Sequence, residues 1–190
     1  MKRISLWLHT VSTGRIALTA LAIFLLFTVL VLPQQAAQSE AKTGEVESPD
    51  TSLFYAPDDL YRWAEAYGPA GRAAYVRARL TFDVIWPLVY TAFLSTAITW
   101  IYGKAFAADS RWQRMNLAPV LGALFDYLEN AAAALVMWRY PARTPIIDMA
   151  APIFTLVKWI FVGGSFAVLA LGAGVAMWRW ARARMTSSRS

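Results

Sequence analysis

The chain has 190 residues, 58% of them hydrophobic, and carries 18 Lys and Arg against 12 Asp and Glu, a formal charge of +6. It has no cysteine and one histidine, His9, so thiol catalysis, disulfide exchange, Cys-based zinc or iron–sulfur sites and a bis-histidine haem within one chain are excluded. His9 precedes the first apolar run, which also argues against a Ser-His hydrolase.

Four stretches hold the roughly 20 apolar residues that a membrane-spanning helix needs, and they predict an all-α, integral membrane four-helix bundle. Residues 1–15 form a basic N-terminal segment and 16–32 the first span. Basic residues before an apolar core, with small residues at 36–41, also fit a cleaved signal peptide. The length of the core, against about 7–15 residues for a signal h-region, favours an uncleaved anchor. Residues 33–56 are rich in Gln, Ala, Ser, Glu and Lys without apolar periodicity and read as a solvated linker.

From Pro57 the pattern changes. Pro57 suits a first helical position, Asp58 and Asp59 complement a helix N-terminus, and Gly68 with Pro69 ends the segment. Leu60, Trp63, Ala64 and Tyr67 share one face, giving a short amphipathic helix over 57–68. It either lies along the outer interface, as Trp and Tyr prefer, or packs as a lid on the bundle. Pro69 and Gly71 open a helix over 69–102 that is expected to run unbroken through Tyr75, Arg79 and Asp83 into the second span, where Pro87 is a kink point. A loop at 103–116, a third span at 117–138, a turn at 139–149, a fourth span at 150–178 and a basic tail at 179–190 complete the chain. The fourth span exceeds what a crossing requires.

Lys and Arg set the orientation. One side collects Lys2, Arg3, Arg15, Lys104, Arg111, Arg114, Arg179, Arg182, Arg184 and Arg189 against a single acid, Asp109. On the other, Glu40, Glu45, Glu47, Asp50, Asp58, Asp59 and Glu65 balance the bases. The expectation is a multi-pass protein of the cell inner membrane with both termini cytoplasmic. The basic residues stand at span ends beside Trp7, Trp100, Trp112, Trp138, Trp178 and Trp180, so membrane lipids and not nucleic acid are the expected partners.

Ionisable residues inside a bilayer are costly and default to functional candidates. In the third span Asp126, Glu129 and Asn130 recur at spacings of three and four, on one helical face. Lys158, about ten residues into the fourth span, reaches the same depth as Glu129. Asp83 can join from the second span, with Arg79 one turn before it. Asp83, Asp126, Glu129, Asn130 and Lys158 therefore make a candidate ligand-binding site in the outer half of the bundle, with Tyr90 and Tyr127 as possible neighbours. Clustered carboxylates can carry a proton, oxygen ligands can hold a hard cation, and Lys158 can face an anionic lipid. The alternative is a hydrogen-bonded network that only fixes helix packing. No catalytic residue or cofactor is assigned.

Gly163-Gly164-Ser165 has the small-residue setting of an intramembrane serine nucleophile, but Lys158 lies seven residues away, about 10 Å along the axis, too far for a Ser-Lys pair. With Ala167, Ala170, Gly172, Gly174 and Ala176 these glycines fit close helix packing better. Trp86 and Trp159 are placed deeper than the other indoles, and core packing explains them better than a pocket.

The blocks Tyr67-Gly68 to Tyr75, Phe82-Asp83 to Tyr90 with Trp86-Pro87 inside, and Phe125 to Asn130 together resemble a group of uncharacterised four-span bacterial inner-membrane proteins, over the chain from about residue 55 onward. That resemblance implies no activity. Emopamil-binding, sterol-isomerase-like bundles are similar in span count and intramembrane carboxylates, without a motif that aligns residue by residue. The functional expectation is binding of an ion, proton, lipid or small ligand. Against it stand an accessory or structural subunit, joined to a second copy or a partner subunit, and a lipid-modifying enzyme using an Asp or Glu.

Overall fold

The computed structural model describes residues 2–44, 47–49 and 52–187. Glu45 and Asp50, read with the outer acidic group, and Arg189, read with the basic tail, lie outside the described residues. The helices are α1 (Lys2–Val11), α2 (Gly14–Leu26), α3 (Leu32–Thr43), α4 (Pro57–Leu80), α5 (Phe82–Ala105), α6 (Ala118–Arg139) and α7 (Ile147–Ser187), with a π turn at Phe27–Val31 and a 3-10 turn at Arg111–Leu117. Four helical stretches, Gly14–Thr43, Pro57–Ala105, Arg111–Arg139 and Ile147–Met185, are long and apolar enough to cross a membrane.

Thr13 caps α2 by accepting a hydrogen bond from the Ile16 N–H. The π turn joins α2 to α3 in one rod. Pro33 explains it: proline has no N–H, and its ring crowds the carbonyl four residues back, so the ladder widens there. The stretch read as a solvated linker is thus helical over Leu32–Thr43. Ala, Gln, Glu and Lys are strong helix formers, so an amphipathic pattern is not required. The helix stops at Gly44, whose φ of 74° is the left-handed region that favours glycine.

α4 bends at Gly68, with φ 62°, just ahead of Pro69. Its first half turns Leu60, Trp63, Ala64 and Tyr67 onto Ala132, Ala133, Val136 and Met137 of α6 and Ala151 of α7, forming the outer apolar core. The aromatic face is therefore covered by protein. Tyr61 secures this lid by donating to Asp148 Oδ2 at 2.8 Å and accepting from the Thr144 N–H at 2.8 Å. The helix expected to run unbroken over 69–102 is interrupted at Thr81, with φ −123° and ψ −81°. The Thr81 hydroxyl donates to the Arg77 carbonyl at 2.8 Å, the kind of local side-chain bond that competes with the helical ladder.

Beyond the interruption, α5 packs Tyr90, Phe93, Leu94, Ala97, Ile98 and Tyr102 with Ala123 of α6 into an inner core. At the far end the Ser5 hydroxyl donates to Asn116, whose amide donates to Thr99, so α1 is docked on the 3-10 turn. Along α7 the small residues divide. Gly172 lies against Tyr102, and Gly122 of α6 against Val162, whereas Gly163, Gly164 and Gly174 have no non-local atom within 4 Å of where a Cβ would stand. The stripe expected to pack closely does so only in part within one chain. The 41 residues of α7 span about 60 Å, twice a hydrocarbon core.

Candidate functional site

The polar residues of α6 form a layer between the two apolar cores. Ala123 belongs to the inner core and Ala132 to the outer, with Asp126, Glu129 and Asn130 between them, within about two turns of either. All three are buried, Glu129 completely. Such groups stay folded away from water only with partners, and α4, α5 and α7 supply them.

Lys158 of α7 forms an ion pair with Glu129 Oε2 and lies 3.9 Å from Asp126 Oδ1. The Asn130 amide donates to the same Asp126 oxygen at 3.1 Å, and the Tyr90 hydroxyl donates to Asp126 Oδ2 at 2.9 Å. Arg79 of α4 donates to Asn130 Oδ1 at 3.0 Å and sits 3.3 Å from Asp83 Oδ2, its guanidinium over the Tyr75 ring at 4.3 Å. One connected path therefore runs Asp83, Arg79, Asn130, Asp126, Lys158, Glu129. It contains all five residues singled out in the sequence. Tyr127 stays outside it, its hydroxyl donating to the Val84 carbonyl.

Beside this network lies a cavity of about 770 Å³. Arg79, Asp83, Tyr90, Asp126 and Lys158 form its charged wall; Phe24, Trp86, Trp159, Val162 and Phe166 form an apolar one; and α3 covers it with Gln35, Gln38, Ser39 and Thr43. Glu129 and Asn130 stand behind the charged wall. Trp86 and Trp159, expected to be core packing, line the cavity, although Trp86 also stacks on Phe24 and Phe27 at 5.7 Å.

Comparison with known protein families, curated proteins and solved structures finds no match to this chain.

What the site can do follows from its own groups. The carboxylates are drawn to Lys158 and Arg79, and among the described residues no group of three or more His, Cys, Asp or Glu is placed to hold a metal ion. Ser165 is fully buried and donates to the Phe161 carbonyl of its own helix at 2.6 Å, so its hydroxyl is engaged locally. The cavity itself has the size and the mixed lining of a small-molecule site, charged at one wall and aromatic at the other. Sequence reasoning paired Arg79 with Asp83 from their spacing, and missed its reach to Asn130 and the α3 cover.

Proposed function

We propose that this chain is a multi-pass protein of the inner membrane, with both termini cytoplasmic, that binds a small amphipathic molecule, a lipid or a lipid-like compound, between α3 and the buried polar network. The observation that carries this reading is that one cavity has both a charged wall and an aromatic wall. A network whose whole role was to lock helices together needs no cleft beside it with an aromatic wall facing its charges. Four apolar helical stretches supply the membrane part of the reading, and the asymmetry of Lys and Arg supplies its orientation.

A second reading, contact with another copy or with a partner membrane subunit, is favoured by one observation: Gly163, Gly164 and Gly174 are open on α7, and small residues let membrane helices approach closely. It is compatible with the first.

Lipid restoration tests the binding reading. Protein stripped of lipid in a neutral detergent should gain thermal stability when polar lipids of its host membrane are returned, since a ligand that binds only the folded state stabilises it by mass action. The gain should vanish in Asp126→Asn, which changes the charged wall without changing side-chain size. Equal gains in both proteins would assign the effect to bulk solvation and contradict a specific site.

A further inference from the structure

The N-terminal helix α1 carries an apolar face that the protein leaves open. Ile4, Trp7 and Val11 recur at spacings of three and four, so they share that face, and Ile4 and Trp7 are 48% and 60% exposed. About a quarter turn round the helix, Ser5 and Leu8 are buried. Arg3, Leu6 and Thr10 take the remaining arc and are exposed. The first half of α4, whose aromatic face was expected at a membrane interface, is covered by protein; the face of α1 is not.

Its contacts fix the direction in which α1 runs. Continued along the line of α2, it would put Ser5 about 13 Å beyond Gly14. Instead Gly14 lies against the Trp100 ring, while the Ser5 hydroxyl donates to Asn116 at 2.9 Å, and the Asn116 amide donates to the Thr99 hydroxyl at 3.1 Å. Both ends of the stretch thus meet consecutive residues of α5. Thr13, extended with φ −89° and ψ 163°, separates the two helices. α1 therefore runs across the end of the bundle and not onward from it.

We propose that α1 lies in the plane of the membrane surface, with Ile4, Trp7 and Val11 sunk into the headgroup layer of a leaflet rich in anionic phospholipid. Orientation and composition both fit an in-plane helix: it crosses the bundle end, and its apolar side holds a tryptophan with a base on the adjoining arc. Charge selects the lipid. Arg3, Arg15, Lys104, Arg111 and Arg114 are exposed around this end, and Asp109 is the one acid in residues 1–32 and 98–117. Basic residues so placed at a membrane surface favour acidic headgroups over zwitterionic ones. Trp112, exposed on the 3-10 turn that holds Ser5, adds a second indole at the same end. The proposal stands apart from the cavity, which α1 does not line.

The chain has no cysteine, so Ile4→Cys and Thr10→Cys each place a single nitroxide label on the full-length protein. Each is reconstituted in phosphatidylcholine vesicles with and without phosphatidylglycerol. Collision with oxygen, which concentrates in lipid, is then compared with collision with a water-soluble nickel chelate. With phosphatidylglycerol the Ile4→Cys label should favour oxygen several-fold and report a depth of about 5–10 Å, while the Thr10→Cys label should favour nickel. Without it, the oxygen preference at Ile4→Cys should fall at least about twofold. Trp7→Cys, on the same face, serves if Ile4→Cys fails to insert. A nickel-accessible Ile4→Cys label in both vesicles would overturn the proposal. A label shielded from both reagents, with spin–spin broadening, would assign the face to a second copy of the chain and overturn it too. Equal immersion in both vesicles would overturn the choice of an anionic lipid.

Discussion

Glu129 and Lys158 show what single residues contribute. Glu129 is fully buried and Lys158 nearly so, and the two form an ion pair. A buried pair adds little net stability over an apolar pair of similar volume, but removing one partner strands the other. Lys158→Met should therefore lower unfolding stability in micelles by about 3–5 kcal/mol, while the double variant Lys158→Met, Glu129→Leu should recover most of the loss. Thermal or denaturant unfolding of both variants checks this. A double variant no more stable than Lys158→Met would show that the pair does not act as a unit. The pairing was legible because Asp126, Glu129 and Asn130 repeat at helical spacing and because residue counts place Lys158 at their depth. The bond from Arg79 to Asn130 was not, since it depends on how α4 crosses α6 after the bend at Gly68, and no local pattern encodes that crossing.

Among the elements, α3 was the least visible in the sequence and is the one that covers the cavity. Its residues have helical propensity without a hydrophobic stripe, and none of them is buried. The interruption at Thr81 was also hidden, since neither Gly nor Pro marks it and a threonine hydroxyl bonded to Arg77 produces it. By contrast, the four apolar stretches were plain from length and hydropathy alone. α3 is held close by Gly71, where a Cβ would lie 3.0 Å from the Lys42 carbonyl oxygen. Gly71→Val should push α3 away, at some cost to the outer core as well, because a Cβ there would also stand 3.0 Å from Tyr67 Cβ. Trypsin should then cut after Lys42 several-fold faster than in the wild type, as expected when local opening exposes a segment. An unchanged rate would show that α3 is held by other contacts.

For the whole molecule, two apolar cores separated by a charged layer give a bundle whose middle is deliberately polar. The outer core is sealed by the α4 lid through Tyr61, Thr144 and Asp148, and the inner core by Tyr102 lying against α7, where its hydroxyl donates to the Val168 carbonyl. Between them the layer is stabilised by its own ion pairs, and on one side it opens to the cavity instead of being packed shut. This arrangement holds charged side chains together between the two cores without unfolding the helices around them, as the proposed amphiphile site requires.

Native mass spectrometry of the protein, released gently from its own membrane, tests that claim most directly when an Asp126→Asn, Glu129→Gln variant of equal expression is measured beside it. The wild type should retain a bound amphiphile of defined mass and the variant should lose it. An empty wild type, or the same mass retained by both, would contradict a binding role for the polar layer and leave it a packing device.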